Sequence, residues 1–415
     1  MIANPAELLR SLFDRAVAVA DPMLALASQL PARPGGRVVV VGAGKASARM
    51  AEAVEAAWGP CEGLVITRYG HARRCRGVEV VEAAHPVPDQ AGFAATARML
   101  HLLAGLGPAD FALVLISGGA SALLVQPVVS VTLAEKQAVN AGLLASGAPI
   151  SAMNLVRKHL SRVKGGQLAA AAFPARVLCL MISDVPGDDP AVIGSGPTVG
   201  EGSTPAEALA LLDRYAVPVP PAVRRALAAG SGVIAPGDPR LASTENRVCA
   251  APAQSLAAAA ALAADRGCEV EILGDALEGE AREVAVAQAA LALQRQAKLR
   301  PGDAPLVLIS GGELTVTRRG DGIGGPNAEF ALALAIALNG APGLHAIACD
   351  TDGVDGAAEV AGAVIGPQTP LAGAGAALAR NDAHGFFGTI GGQVVTGPTL
   401  TNVNDFRAIL IFPPG

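Results

Sequence analysis

The chain has 415 residues, 51% of them hydrophobic, 16% charged and only 3% aromatic, with a net charge of −5. That length exceeds one ordinary core and calls for two or three domains. The acidic balance and the scarcity of stacking platforms exclude a typical nucleic-acid binder.

Residues 1–22 (MIANPAELLRSLFDRAVAVADP) read as a surface helix capped near Asn4, without the cationic start and apolar core of a signal peptide. The six cysteines stand apart with no CxxC pair, which suits a reducing cytoplasm better than a disulfide framework or a zinc site. Arg37–Val41 is a continuous apolar run, followed by GAGKAS (42–47) and a helical stretch over Ala46–Ala57. Further strands are predicted at Gly63–Thr67 and Val78–Glu82, at Phe111–Ile116 ending in Ser117-Gly118-Gly119, and at Val177–Ile182 ending in Ser183-Asp184. Unalternating strands separated by helices predict a parallel sheet covered on both faces. Apolar stretches such as Phe111–Val129 are broken by Ser-Gly-Gly or Pro, so no membrane span is expected.

Gly230–Pro239 (GSGVIAPGDP) clusters turn formers and is the candidate linker. It divides an N-terminal domain, 1–240, from a C-terminal one, 241–415. Beyond it the alternation resumes: strand Arg247–Ala250, helix Ala253–Asp265, strand Glu269–Leu273, helix Glu280–Gln296, strand Leu306–Ile309. ALVLISGGAS (112–121) and PLVLISGGEL (305–314) share strand, turn and spacing.

In open parallel sheets, ligands bind beyond the carboxyl ends of strands. Gly42-Ala43-Gly44-Lys45, Ser117-Gly118-Gly119 and Ser310-Gly311-Gly312 all stand there. Each reads either as a tight turn or as an anion cradle of backbone amides. GAGKAS is not a P-loop, because Val39 and Ala46 occupy positions that require Gly and Ser or Thr. As a dinucleotide fingerprint it is broken at Ser47, and the next strand ends in Thr67-Arg68-Tyr69 rather than an acid. Two acidic clusters, Ser183–Asp189 and Asp350–Gly356, fit either plain turns or a magnesium site. Residues 154–166 read as an amphipathic helix whose buried stripe is Val156, Leu160 and Val163. Its Arg157, Ser161 and Lys164 form either a solvated basic face or a surface for an acidic substrate.

Together these segments resemble the MOFRL-type glycerate 2-kinases, a family whose members are also labelled hydroxypyruvate reductases. The resemblance spans essentially the full length. It rests on GAGKAS, HPVPD (85–89), SGGASALL (117–124), NLVRKHLSRVKGG (154–166), SDVPGDD (183–189), GSGPT (194–198), SGGELTVT (310–317), GGPNAEF (324–330), DTDGVDG (350–356) and GPTLTNVND (397–405). It implies an N-terminal Rossmann-like domain, a smaller C-terminal α/β domain and an active site in the cleft between them. The implied reaction is phosphate transfer from ATP, with Mg2+, to the C2 hydroxyl of D-glycerate. The alternative is NAD(P)H-dependent reduction of hydroxypyruvate.

The resemblance further implies Lys45, Asp189 and Arg157 as catalytic residues, and Asp184 and Asp189 as magnesium ligands. Gly42, Gly44, Ser117, Gly118, Gly119, Ser195 and Gly196 are implied as binding residues in the first domain. Ser310, Gly311, Gly312, Glu313, Asn327, Glu329, Asp352, Asp355, Asn402, Asn404 and Asp405 are implied in the second. A cytoplasmic enzyme follows, with a small sugar acid as partner, neither nucleic acid nor membrane, and a homodimer admitted. One departure stands out: relatives reading GGRNQE have Arg and Gln where this chain has Pro326 and Ala328, leaving Arg157 or Arg318 to supply that cation.

Overall fold

The computed structural model describes residues 2–356 and 358–414. The chain forms two compact units: Pro22–Ser183 with Asp188–Cys249, and Met1–Asp21 with Asp184–Gly187 and Ala250–Gly415. The first helix, α1 (Pro5–Val19), belongs to the second of these. Asn4 caps it, its side-chain oxygen accepting from the Glu7 amide at 3.2 Å.

The first unit is an α/β layer built on β1 (Val38–Ala43), β2 (Glu62–Arg68), β3 (Val78–Ala83), β4 (Phe111–Ile116), β5 (Arg176–Ile182) and β6 (Thr244–Ala250). The sheet order is β3-β2-β1-β4-β5-β6, and the pairs from β3 to β5 are parallel. Every residue of β1 and β4 is buried, which explains their lack of alternation. Connecting helices are α2 (Pro22–Ala25), α3 (Ser47–Trp58), α4 (Gln90–Ala104), α5 (Ala120–Leu123), α6 (Leu133–Ala145), α7 (Ile150–His159), α8 (Gln167–Ala171), α9 (Pro205–Arg214) and α10 (Pro221–Ala229). Of these, α6, α7, α9 and α10 close their own small core around Val139, Leu143, Val156, Leu212 and Val223.

Residues 230–239 lie inside this unit, so the chain does not change units at the expected linker. The stretch is tied down instead: the Ile234 amide donates to Gly165 O at 3.0 Å, and Ile234 O accepts from Glu201 at 2.8 Å.

The second unit contains α11 (Pro252–Asp265), α12 (Ala281–Gln296), α13 (Pro326–Leu338), α14 (Ala374–Ala379) and α15 (Ala383–Ile390). Its strands are β7 (Glu269–Gly274), β8 (Gly279–Glu280), β9 (Leu306–Ser310), β10 (Leu314–Thr315), β11 (Leu344–Asp350), β12 (Gly362–Ile365), β13 (Gln393–Val394) and β14 (Asp405–Ile411). The main sheet, β13-β12-β11-β14-β9-β7, is mixed: β9 is parallel to β7 and antiparallel to β14. The Ser-Gly-Gly echo is therefore a shared turn placed on two different sheets. On one face α12 and α13 pack through alanines; on the other α1 and α11 bury Leu9, Leu12 and Phe13, whose ring meets Phe406 at 6.0 Å. Among the described residues no helix is long and apolar enough to cross a membrane.

Candidate functional site

In the first unit, the run β1-β2-β3 goes one way from the centre of the sheet and β4-β5-β6 the other. The switch point therefore lies between β1 and β4, where open α/β sheets bind ligands. The two expected Gly-rich loops leave the sheet at these two strands. They interlock: Lys45 N donates to Gly118 O at 2.9 Å, Ser117 N to Ala43 O at 3.2 Å, and Ala46 N to Ser117 Oγ at 3.0 Å. Glycine is required by proximity as well as by backbone angle. A Cβ on Gly42 would stand 2.2 Å from Leu115 O, and one on Gly44 (φ +136°) 2.1 Å from Ser117 Oγ. Ser117 Oγ is thus spent on the opposite loop.

A Cβ on Gly119 (φ +80°) would meet His85 Nε2 at 3.0 Å and Lys45 Cγ at 3.4 Å, so the Lys45 stem runs beside the second loop and the His85 ring. The α3 N-terminus, 12 residues of helix with no side-chain cap, follows directly after Lys45 and presents its positive dipole end. Ser195 and Gly196 brace this region: Ser195 Oγ meets Ser121 Oγ at 2.9 Å, and the Ser195 and Gly196 carbonyls accept from Gly165 and Gly166 at 3.2 and 2.8 Å.

Arg157, near the C-terminal end of α7, has one hydrogen bond, from Nη1 to Asn154 Oδ1 at 3.3 Å, and burial lowers its pKa. Two lysines share its surroundings. Lys136 Nζ donates to Leu160 O at 2.9 Å, and Lys164 Nζ to Ser121 O at 2.8 Å and Leu124 O at 3.3 Å. Burial, aided by Arg157, pushes Lys136 down to about 7 and holds Lys164 well below the usual lysine range. Lys136 carries no motif, and beside Glu135, Gln137 and Asn140 on the same helix nothing in the sequence sets it apart.

Asp189 Oδ1 accepts from the Ala191 amide at 2.8 Å. Its neighbour Asp188 holds a positive φ of 54° and buries an Oδ1 that has no hydrogen-bond partner. An orphaned carboxylate oxygen in an acidic loop fits a hard cation such as magnesium. It belongs to a residue between the two expected ligands. Among the described residues no group of three or more His, Cys, Asp or Glu is arranged to hold a metal.

The second unit brings Asp184, Asn402 and Asn404 together: Asn402 Nδ2 reaches Asp184 Oδ2 at 3.3 Å, and Asn404 Nδ2 reaches Asp184 O at 3.0 Å. Asp352 is buried and its Oδ1 accepts from the Val354 amide at 2.8 Å. Ser310 Oγ accepts from Gln288 at 3.3 Å, while the Gly311 and Gly312 carbonyls accept from Arg407 at 2.6 and 3.0 Å. Glu313 is exposed.

Four expected ligands form a buried scaffold. Asp355 caps α13, accepting from Asn327 N at 2.9 Å and Ala328 N at 2.8 Å, with His384 Nε2 at 3.0 Å. Asp405 accepts from Asn327 Nδ2 at 2.7 Å and pairs with Arg407 at 3.0 Å; burial raises its pKa. Glu329 pairs with Arg282 at 2.5 Å and accepts from Asn381 Nδ2 at 2.9 Å. Asn381 Oδ1 in turn holds the Arg319 and Gly320 amides at 2.6 and 3.0 Å. Their carboxylates therefore orient the α13 N-terminus and the preceding Gly-rich loop. Pro326 sits in the first turn of that helix, where no amide is needed, and Ala328 is fully buried.

Residues 8–228 match the family described as "Domain of unknown function (DUF4147)", and residues 306–405 match the MOFRL family. A "Putative hydroxypyruvate reductase" of Agrobacterium vitis is 52% identical over 98% of this chain and 94% of its own length. The "D-glycerate 2-kinase" of Thermotoga maritima is 38% identical over 94% of both. The crystal structure of glycerate kinase from that organism superposes with a TM-score of 0.86 at 36% identity, covering 98% of this chain and 99% of that one. The chain belongs to the MOFRL-type glycerate 2-kinase family, some of whose members carry the name hydroxypyruvate reductase.

Proposed function

We propose that this chain transfers the γ-phosphate of ATP to the C2 hydroxyl of D-glycerate, giving 2-phosphoglycerate, with magnesium as cofactor. The observation that carries the reading is Lys45, tied through its amide to Gly118 O between two interlocked glycine loops at the switch point. The kinase names of relatives at 38% and 35% identity support the same reading.

ATP with its magnesium supplies the electrophilic phosphorus when bound. Lys45 neutralises charge on the transferring group, and Gly42, Gly44, Gly118 and Gly119 let backbone amides approach it. Asp189 accepts the proton of the C2 hydroxyl. Asp184 and Asp189 are the proposed metal ligands, and the unpartnered Asp188 oxygen supports a cation in this loop. Arg157 supplies the second cation, so position 326 need not. Asn402 and Asn404 orient Asp184. The six free thiols accord with a cytoplasmic enzyme.

The strand order of the first sheet favours a second reading, reduction of hydroxypyruvate with NAD(P)H. Against it, β2 ends on Arg68 where NAD would want an acid, and Ser47 fills the third fingerprint position, its hydroxyl bonded to Ile66 O at 2.8 Å. The test is incubation with ATP, magnesium and D-glycerate and assignment of the product by phosphorus NMR. A 2-phosphoglycerate resonance is expected; 3-phosphoglycerate alone overturns the regiochemistry.

A further inference from the structure

Strand β11 ends at Asp350 and its antiparallel neighbour β14 begins at Asp405, and these two residues still face each other in the ladder. One residue further on, Thr351 is 1% exposed and turns its amide, its carbonyl and its hydroxyl towards the segment 399–404. The amide donates to Asn404 O at 3.3 Å and the hydroxyl to the same carbonyl at 2.6 Å. The hydroxyl also accepts from Val403 N at 2.9 Å, and Thr351 O accepts from Thr399 Oγ1 at 2.5 Å.

That segment depends on such contacts. Leu400 and Asn404 hold left-handed φ angles of 63° and 69°, which non-glycine residues keep only where their surroundings impose them. Val403 is buried, so deleting the Thr351 hydroxyl takes away the partner of an amide that water does not reach.

The side chains of this turn converge on one acidic residue. Asn404 Nδ2 donates to Asp184 O at 3.0 Å and Asn402 Nδ2 to Asp184 Oδ2 at 3.3 Å, while Asn402 Oδ1 accepts from the Asn404 amide at 3.2 Å. Two neutral amides thus fix the backbone and the carboxylate of Asp184 without neutralising its charge. An arginine or lysine in their place would compete with a cation; an amide leaves the charge for one. The Thr351 amide already ties the two chains together beyond the ladder. What the hydroxyl adds is the setting of the turn whose side chains end on Asp184.

We propose that Thr351 is a positioning residue for a divalent cation, its hydroxyl setting the Asp184 carboxylate through Asn402 and Asn404. The inference rests on the magnesium reading of Asp184. Groups that orient a metal's ligands in this way are worth about 10–100-fold in affinity.

Mn2+ takes the same oxygen ligands as magnesium, so its binding to the full chain with ADP reads the site without turnover. The electron paramagnetic resonance signal of free Mn2+ measures it, corrected for the ion that ADP alone holds. Thr351→Val keeps the branched shape and removes the hydroxyl, and is expected to weaken Mn2+ about tenfold or more. Thr351→Ser restores the hydroxyl and is expected to bind as wild type does. Circular dichroism checks that each variant is folded. Should Thr351→Val fail to fold, Asn402→Ala breaks the link one step nearer Asp184 and is expected to show the same loss. A loss of fold stability alone, with Mn2+ held by folded Thr351→Val or Asn402→Ala as tightly as by wild type, overturns the positioning role. So does a Thr351→Ser variant that binds no better than Thr351→Val. Asp184→Asn separates the two readings: if it binds Mn2+ as wild type does, the magnesium assignment of Asp184 falls and the inference with it. If Asp184→Asn loses the ion and folded Thr351→Val keeps it, only the inference falls.

Discussion

Replacing Gly44 with alanine tests whether the β1 and β4 loops are locked together. The new Cβ would stand 2.1 Å from Ser117 Oγ, 2.6 Å from Ser117 O and 2.8 Å from its carbonyl carbon. Two of those three atoms are backbone, so no rotamer change relieves the contact. The φ of +136° adds strain of about 1–3 kcal/mol for any side chain, and displacing the packed loop costs about another 1–3 kcal/mol. Gly44→Ala is therefore expected to lose about 2–6 kcal/mol. Gly70→Ala is the control: its φ is +82° with nothing within 4 Å, so only the angular strain applies. Urea titration followed by Trp58 fluorescence reports on the relevant unit, because Trp58 is the chain's single tryptophan and packs beside Phe111 at 6.3 Å. Stabilities of the two variants within about 0.5 kcal/mol of each other would refute the interlock, since both glycines hold a positive φ and Gly44 adds close neighbours.

Lys45→Ala is expected to lower kcat for glycerate phosphorylation about 10²–10³-fold with the fold intact; unchanged turnover would remove Lys45 from the chemistry. Glu329→Gln removes the nearer of two carboxylates beside the half-buried Arg282, leaving Glu280 at 3.7 Å, and should cost about 1.5–3 kcal/mol in urea titration, loosening the loop that Asn381 holds. Lys136, at about 7 in the folded chain against an ordinary 10.5, binds fewer protons folded than unfolded between those values. Stability should therefore rise with pH above about 7, at up to about 1.4 kcal/mol per pH unit, with no Lys136 contribution to the slope below it. Lys136→Met should flatten that rise between pH 7 and 9; an identical slope in wild type and variant would contradict the assigned burial.

Legibility followed locality. The unalternating runs of β1 and β4 and the glycines after them are local signals, and so was the Asn4 cap. Pairings across long separations were not. Nothing in Asp355 announces that it caps a helix starting 29 residues earlier, at Pro326, or that Glu329 and Asn381 meet across 52 residues. A carboxylate in a motif reads equally as a ligand and as scaffold; its partners' positions decide, and those are tertiary. The stripe of α1 says that one face is buried but not that β11, β14 and α11 cover it. Lys136 escaped because a buried lysine on a helix looks, in sequence, like a solvated one. The strand order that makes β1 and β4 neighbours at the switch point was likewise invisible, although the alternation of strands and helices made it one of few choices.

The most direct test of the central claim sets two reactions side by side with the same purified chain: D-glycerate with ATP and magnesium, and hydroxypyruvate with NADH or NADPH. ADP and phosphoglycerate in equal amounts are expected from the first, and no nicotinamide oxidation in the second. Nicotinamide oxidation by hydroxypyruvate, with no phosphoglycerate formed from ATP, would contradict it.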